Sequence, residues 1–497
     1  MRSVMAAIAL SAAFAVCATA SSLLRGVAPE EPADLTSLIR AGRLDEARDA
    51  ARVTLPADVL VPGSGADKIE SYAGLFQVGS DTPGCPAGDR KLFAWYVPPT
   101  DPSAVLSEAG TLMWMQGGPG GSGTFGFLSE NGPLVVNAAL NKLEPREYSW
   151  SSFQGGLWVD QPLATGFSTI KTDACLVNTS GQAADDVVDL LDQWAALFPE
   201  AASGPFRIAG ESYGGTYAPW TAVALMDADA SVFPRASALA SNLDAVLLGD
   251  PWTDALAQMP AYGTMLRGFS IADEIQSQQL DAYFKMCVDN VTTGTLEGRL
   301  AAFKLWDAFW GDYNPTGFTS GYEAMSGCPD TLNVERCQYP AGISLFSAIL
   351  ARDDVKQALH VPGRVSGSNS SKVYRQFAEV SGSFMLGSRA QVETLLHAGK
   401  RVLYYHGAVD AICGAVTGDA AIRALVFPGA STFASTPRVT WKVDKADTSS
   451  AGWVVEADGL NLSWAVLRNA GHLVPFDQPR AAFAMMQRFV TGKPLAQ

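Results

Sequence analysis

Short apolar runs alternate with longer helical patterns over most of this chain, from about Lys68 onward. This alternation is typical of a mostly parallel sheet with helices on both of its faces. Runs that are short and apolar throughout predict buried strands. They occupy residues 111–115, 157–159, 206–209, 245–248, 402–405 and 462–467. The pattern therefore predicts an α/β fold.

Two further stretches have the character of helices. A crossover helix is predicted where apolar side chains recur at helical spacing on one face, namely Val187, Leu190, Leu191, Trp194 and Leu197. A second helix is predicted over residues 480–490, because Pro479 suits a first helical position.

The alternation breaks over residues 254–342, which are rich in aromatic side chains, cysteines and turns. We interpret this region as a cap inserted into one catalytic domain of residues 66–497. Residues 30–54 predict a charged helical segment, so residues 21–65 form either an N-terminal arm or a propeptide. Residues 1–20 predict a secretory signal peptide, because Arg2 precedes an apolar stretch and small residues at its end.

The formal net charge of −15 over 497 residues argues against nucleic acid, which requires a basic face. This acidity either suits an acidic working environment or only keeps an exported protein soluble. No apolar run after the leader is long enough to cross a bilayer, so no membrane association is expected. We expect a soluble product that is secreted or delivered to a vacuole or lysosome.

The number of cysteines is consistent with passage through the secretory pathway. Of seven cysteines, Cys17 leaves with the leader, and the remaining six allow 15 pairings in an oxidising compartment. Three of them, Cys287, Cys328 and Cys337, fall within one segment and are expected to staple it. Sequons compatible with surface glycans occur at Asn178, Asn290, Asn369 and Asn461.

The motif of residues 210–214, Gly-Glu-Ser-Tyr-Gly, directly follows the predicted strand 206–209. A Gly-x-Ser-x-Gly turn between a strand and a helix exposes the serine hydroxyl and directs the next amide at an oxyanion. The motif therefore predicts Ser212 as a nucleophile.

A serine nucleophile needs a base, and the chain has four histidines. His360, His397 and His406 lie in or at the ends of predicted elements and are interpreted as structural. His472 instead lies in a loop after the last predicted strand, where this architecture places catalytic residues. Asp410 also follows a predicted strand, and it completes the order Ser, Asp, His that the α/β-hydrolase arrangement requires.

An oxyanion site combines the amide after the nucleophile, here that of Tyr213, with an amide from a glycine loop after an earlier strand. The loop at residues 116–122, Gln-Gly-Gly-Pro-Gly-Gly-Ser, follows strand 111–115. Its position predicts the second donor.

Together these motifs resemble the serine carboxypeptidase family. The matching segments are residues 114–121, 130–133, 158–162, 165–168, 210–215, 410–413 and 469–478. The resemblance implies an α/β-hydrolase with a helical cap that releases C-terminal residues through an acyl-enzyme. It assigns the catalytic triad to Ser212, Asp410 and His472, and the oxyanion amides to Gly118 and Tyr213.

The same resemblance implies a site for the substrate's terminal carboxylate, formed by Gln116, Gly117, Glu130 and Glu211. A glutamate can hydrogen-bond a carboxylate only if one partner is protonated, so binding is expected to favour acidic pH.

The resemblance also places Cys413 and Leu473 at the pocket for the leaving residue, with Cys413 as a free thiol. A free Cys413 leaves one other cysteine unpaired, which makes Cys85 with Cys175 a natural pair. Gly121 stands where the family commonly has Cys, so a disulfide from this loop to the cap cannot form.

Three functions remain open on sequence grounds. The first is a serine carboxypeptidase acting on peptide or protein C-termini. The second is an acyltransferase or esterase on the same scaffold, and the third is a catalytically silent binding protein. Retention of Glu130 and Glu211 favours the first, because ester chemistry has no need of them. No cofactor or metal is expected, and the oligomeric state is left open.

Overall fold

The computed structural model describes residues 33–310, 332–335, 342–364 and 370–496. The strands are β1 (Tyr72–Gln77), β2 (Arg90–Val97), β3 (Thr111–Met115), β4 (Leu134–Asn137), β5 (Lys142–Pro145), β6 (Gly155–Asp160), β7 (Thr169–Ile170), β8 (Phe206–Glu211), β9 (Leu243–Gly249), β10 (Arg401–Gly407), β11 (Val439–Trp441), β12 (Gly452–Val455) and β13 (Leu462–Leu467).

The helices of the first half are α1 (Leu35–Arg40), α2 (Leu44–Ala51), α3 (Leu106–Ala109), α4 (Gly123–Phe125), α5 (Ser180–Leu197), α6 (Pro199–Ala202), α7 (Gly214–Met226) and α8 (Pro234–Ser241). Those of the second half are α9 (Ala255–Gln258), α10 (Tyr262–Gly268), α11 (Glu274–Thr292), α12 (Leu296–Trp310), α13 (Gly342–Ala351), α14 (Asp353–Ala358), α15 (Ser371–Arg375), α16 (Arg389–His397), α17 (Ala415–Ala424), α18 (Ala430–Ser435), α19 (Val474–Asp477) and α20 (Pro479–Val490).

One large sheet organises the described residues. Its strand order is β1-β2-β6-β3-β8-β9-β10-β13-β12-β11, and β7 pairs with β2. The six central strands, from β6 to β13, run parallel, whereas the pairs at both edges are antiparallel. These six parallel strands are the six that the apolar runs predict.

The core lies on both faces of this sheet. Along β3, Leu112 and Trp114 join one buried apolar cluster, and Met113 and Met115 join the other. Successive side chains of a strand point to opposite faces, so a strand covered on both sides must be apolar throughout. The predicted α/β-hydrolase arrangement, a mostly parallel sheet with helices on both faces, is confirmed.

Both predicted helices are present, as α5 and α20. The N-terminal segment, predicted to be charged and helical, contains two short helices, α1 and α2. Gly42 separates them with φ 72°, a conformation that glycine adopts without strain. Leu35 and Ala47 are nevertheless buried in the main core.

The described part of the inserted region before residue 311 consists of the helices α9 to α12 and the short turns that join them. Residues 311–331 and 336–341 of this region, and the leader of residues 1–20, lie outside the described residues, so the boundaries of both segments stay predictions. Within the described part of the chain, no helix is both long and apolar enough to span a bilayer.

Candidate active site

Ser212 occupies a sharp turn between β8 and α7. It adopts φ 60°, a strained conformation for a residue with a side chain. Its N–H donates to Gly249 O at 2.9 Å, and its carbonyl accepts from the N–H groups of Gly215 and Trp252, each at 2.9 Å. These bonds over-determine the turn and hold the strained residue in place.

The glycines around Ser212 are required by close packing. A Cβ on Gly210 would lie 2.1 Å from the carbonyl oxygen of Gly214, and a Cβ on Gly214 would lie 2.4 Å from that of Met115. The Gly-x-Ser-x-Gly pattern thus reflects the tight passage of β8 into α7 beside β3.

The glycine loop after β3 lies against this turn. A Cβ on Gly117 would come within 2.5 Å of Tyr213 N and 2.6 Å of Ser212 Cβ. Gly118, with φ 107°, follows directly. The amides of Gly118 and Tyr213 donate to no other described residue. Both backbone donors named from the sequence are therefore available beside the serine.

Asp410 and His472 form a buried hydrogen-bonded pair. His472 Nδ1 lies 2.8 Å from Asp410 Oδ2. Asp410 also accepts from the amides of Ile412 at 2.7 Å and Cys413 at 3.2 Å. Because Nδ1 binds the aspartate, Nε2 is left as the nitrogen that can accept a proton.

The turn of Ser212, the loop of Asp410 and the loop of His472 follow β8, β10 and β13, which run parallel. Carboxyl ends of parallel strands meet at one edge of a sheet, where α/β proteins bind ligands. The Ser212 hydroxyl makes no hydrogen bond to another described residue. Catalytic hydrogen bonds are often long without substrate and tighten on binding.

The other three histidines are engaged elsewhere, as predicted. His360 Nε2 bonds the carbonyl of Arg52, and His397 Nδ1 bonds that of Glu393. His406 is fully buried in β10, and burial lowers its pKa to about 3.

A chain of buried polar side chains runs up to the residue before Ser212. Trp114 Nε1 donates to Gln116 Oε1 at 2.8 Å, and Gln116 Nε2 donates to Glu211 Oε1 at 2.9 Å. Because the indole can only donate, it fixes which end of the Gln116 amide faces Glu211. Gln116 thereby holds the Glu211 carboxyl group in place.

Glu130 faces Glu211 from the helical turn of residues 126–131. Neither oxygen of Glu130 nor Oε2 of Glu211 has a donor of the described residues in hydrogen-bond geometry, although the amide of Gln116 lies near enough to Glu130 to favour its ionised form. The contact between the two carboxyl groups is therefore a hydrogen bond only when one of them is protonated. Burial raises the pKa of Glu130, and burial together with Glu130 raises that of Glu211 well above its ordinary value.

Arg146 supplies a positive charge near this pair. Its guanidinium donates to the carbonyls of Leu128 at 2.7 Å and Gly132 at 2.9 Å. Burial lowers the pKa of Arg146 to about 10, and its charge favours the ionised form of Glu130. Glu130 is thus the member of the pair that ionises first, and Glu211 is the one that keeps the proton.

Comparison with known proteins identifies the family of this chain. A family model described as serine carboxypeptidase matches residues 62–492. The chain belongs to the serine carboxypeptidase family. It is therefore a serine-type carboxypeptidase, a hydrolase that acts on the C-termini of peptides.

Relatives of this carboxypeptidase are similar along most of their length. The probable serine carboxypeptidase CPVL of Homo sapiens is 28% identical over 466 residues, which cover 93% of this chain and 90% of that protein. The venom serine carboxypeptidase of Apis mellifera is 30% identical, with 93% and 91% covered. A solved structure of Kex1(delta)p, a prohormone-processing carboxypeptidase from Saccharomyces cerevisiae, has a TM-score of 0.74 at 22% identity and covers 90% of this chain and 96% of that one.

The two residues predicted to line the pocket for the leaving residue flank the Asp410–His472 pair of this carboxypeptidase. Leu473 directly follows His472 and is buried, with 6% of its surface exposed. Cys413 is buried and carries a free thiol, whose pKa is raised well above its ordinary value by burial.

The disulfide between Cys85 and Cys175 is present, with the two Cα atoms 5.1 Å apart. Cys287 is buried and carries a free thiol. The expectation that Cys287 helps to staple its segment is therefore not met, and the other two cysteines of that expectation, Cys328 and Cys337, lie outside the described residues.

Sequence reasoning missed Asp250, which is fully buried beside Asp410 in this carboxypeptidase. It directly follows β9, at the same edge of the sheet as the residues that were found. Its position after a predicted strand was the available signal, but the order Ser, Asp, His requires a single acid between Ser212 and His472, and Asp410 supplies it.

Proposed function

We propose that this carboxypeptidase removes C-terminal residues from peptides with Ser212 as nucleophile, His472 as base and Asp410 as the acid that orients it. The observation that carries the proposal is the position of Glu211. This buried carboxyl group of raised pKa directly precedes Ser212. A hydrolase of internal peptide bonds or simple esters has no use for a proton-bearing carboxyl group at that point.

The reaction proceeds in two steps. Ser212 Oγ attacks the last peptide carbonyl while its proton passes to His472 Nε2. The oxyanion accepts hydrogen bonds from the amides of Gly118 and Tyr213. His472 then returns the proton to the leaving amine, and the terminal amino acid departs.

Water completes the cycle. It attacks the acyl-enzyme, gives its proton to His472 and releases the shortened peptide as Ser212 recovers its hydrogen. Asp410 keeps the imidazole in the tautomer with Nδ1–H throughout, and it stabilises the imidazolium formed in each step.

Recognition of the terminal carboxylate falls to Glu211, Glu130, Gln116 and the amide of Gly117. Protonated Glu211 can donate to the substrate carboxylate, which an ionised glutamate would repel. Gln116 keeps Glu211 turned toward this position. We therefore expect activity to peak at acidic pH, within about pH 4 to 6.

The side chain of the departing residue enters a pocket that includes Cys413 and Leu473. Both are apolar in character, which favours an apolar leaving residue. The predicted leader of residues 1–20 would direct the enzyme into the secretory pathway, toward secretion or a vacuolar or lysosomal compartment.

One pair of substrates tests this function. A model peptide and its C-terminally amidated twin are incubated at pH 5, and the products are followed by mass spectrometry. Stepwise loss from the free peptide, slow cleavage of its twin and no cleavage by the Ser212→Ala variant are expected. Equal cleavage of both peptides would refute carboxylate recognition, and hydrolysis of simple esters alone would favour the esterase alternative.

A further inference from the structure

A carboxyl group that the mechanism above does not use lies beside Asp410. Asp250 follows β9 with φ 38° and is fully buried. Its N–H donates to the carbonyl of Tyr405 at 2.8 Å, and its Oδ1 accepts from the N–H of Gly407 at 2.9 Å. Both partners belong to β10, so Asp250 is attached to the strand that leads into the loop of Asp410.

The second oxygen of Asp250 faces no donor of the described residues. One carboxylate oxygen of Asp250, one of Asp410 and a ring nitrogen of His472 all lie within 4.8 Å of one another. Two buried carboxylates at such a separation cannot both be ionised without strong repulsion. One proton held between them turns the repulsion into a hydrogen bond.

The hydrogen bonds decide which residue holds the proton. Asp410 accepts from the amides of Ile412 and Cys413 and from His472 Nδ1. Hydrogen bonds donated to a carboxylate stabilise its ionised form. Asp250 accepts from a single amide, so these hydrogen bonds favour a shared proton on Asp250 over one on Asp410.

The surroundings of Asp250 favour the same assignment. The titratable groups that face it are Asp410, His472, Asp477, Glu211, Cys413 and Tyr405. Of this set only His472 can become positive. Burial first, and then Asp410, raise the pKa of Asp250 well above its ordinary value.

We propose that Asp250 donates a hydrogen bond from protonated Oδ2 to Asp410 and is a positioning residue for the triad. The inference rests on the proposed function, because it concerns the same Asp410 and His472. The added bond prevents rotation of the Asp410 carboxylate. It also withdraws negative charge from the bond to His472, which favours the neutral imidazole that can accept the Ser212 proton in an acidic medium.

An alkyl fluorophosphonate tests the proposal, since it reacts with the serine and carries no carboxylate for Glu130 or Glu211 to bind. Labelling rates are measured from pH 4 to 9 for the wild type, Asp250→Asn and Asp250→Ala. The asparagine retains a donor at every pH, so it should label within about threefold of wild type at pH 5. The fall of its labelling rate at alkaline pH should occur about one pH unit or more above that of the wild type, because the asparagine has no proton to lose.

Asp250→Ala removes the donor. This variant should be labelled at least about ten times more slowly than the wild type at pH 5. The fall of its labelling rate at acidic pH should occur at a higher pH than in the wild type. Asp244→Asn is the matched control, because it removes a carboxylate from the other end of β9, where Asp244 pairs with Arg207 and Arg401. This control should lower the melting temperature and leave the pH profile unchanged.

Coincident pH profiles for wild type and Asp250→Asn would overturn the proposal, and so would labelling of Asp250→Ala at the wild-type rate. A pH profile of the wild type that shifts when EDTA is added would also overturn it, because it would indicate a bound cation in place of the proton. Failure of the wild type to label would refute the proposed function instead.

If the wild type does not label, thermal unfolding still tests whether Asp250 carries the proton. A raised carboxyl pKa makes stability fall as pH rises above about 4, so the melting temperature of Asp250→Asn should gain on that of wild type between pH 5 and 8. Parallel curves would refute the shared proton independently of activity.

Discussion

Gln116 Nε2 donates to Glu211 Oε1 across 2.9 Å, and this bond links the glycine loop after β3 to the residue that precedes Ser212. The proposed carboxylate site and the proposed nucleophile are therefore coupled through one side chain. The indole of Trp114 fixes the amide in the orientation that makes the bond possible.

Glu211→Gln should move the optimum for peptide cleavage toward neutral pH. The glutamine amide is a permanent donor to the substrate carboxylate, whereas Glu211 must keep its proton to serve. We expect KM to become nearly independent of pH between 5 and 7, with less change in kcat. Steady-state kinetics over this range provide the measurement, and an unchanged KM profile would remove Glu211 from carboxylate recognition.

Gln116→Leu should raise KM for free peptides by about tenfold, because one oriented hydrogen bond to a buried carboxyl group contributes about 1 to 2 kcal/mol. Fluorophosphonate labelling should change far less, since that probe has no carboxylate. The comparison of the two rates checks the role, and equal losses in both would indicate general damage to the turn at Ser212.

Asp410→Asn should reduce kcat by about 10³- to 10⁴-fold with a small change in KM, because the amide no longer holds the imidazole in the required tautomer. Asp419→Asn, a half-exposed carboxyl group on the following helix α17, is a suitable control. A tenfold loss or less in Asp410→Asn would assign the orienting role to another acid.

The raised pKa of Glu211 also determines the direction in which the stability of the fold changes with pH. Its folded pKa is raised, so the folded state binds more protons than the unfolded state above pH of about 4.5. Stability should therefore fall as pH rises from that value toward the folded pKa. The melting temperature should decline from pH 5 to 8 in the wild type and decline less in Glu211→Gln. A steeper decline in the variant would contradict the assignment.

The N-terminal helices should be part of the mature fold. Leu35 is buried in the core, and Thr36 Oγ donates to Gln193 Oε1 at 2.7 Å. Leu35→Ala should cost about 2 to 4 kcal/mol in the free energy of unfolding, whereas Leu38→Ala, at a half-buried position, should cost less. N-terminal sequencing of the active enzyme checks the same point, and a mature terminus beyond Ala51 would support the propeptide alternative.

The sequence was most informative where one physical constraint acts alone. The six parallel strands were predictable because burial on both faces leaves apolar runs such as that of residues 111–115. The antiparallel edge strand β11, with its exposed Val439, carries no such run and was not predicted. The antiparallel strand β2 does carry one, over residues 92–97, and was missed all the same.

Site residues found by motif share this property, since Ser212 and Gly214 stand in a fixed local spacing. Asp250 and Arg146 do not. Asp250 acquires its significance from Asp410, 160 positions away in the chain, and Arg146 acquires its own from the helical turn that carries Glu130. The place of Asp250 after a predicted strand marks the correct edge of the sheet, but the contacts with Asp410 and Glu130 themselves arise only on folding and leave no local spacing to recognise.

The hydrogen bond from residue 413 to Asp410 comes from the backbone. The side chain of that residue can therefore be exchanged without removing the bond, provided that the turn is kept. A library at position 413 would vary the proposed pocket for the leaving residue while the orienting acid stays in place. On this proposal, substrate preference is open to redesign, and to evolutionary drift, at a position directly beside the acid proposed to orient His472.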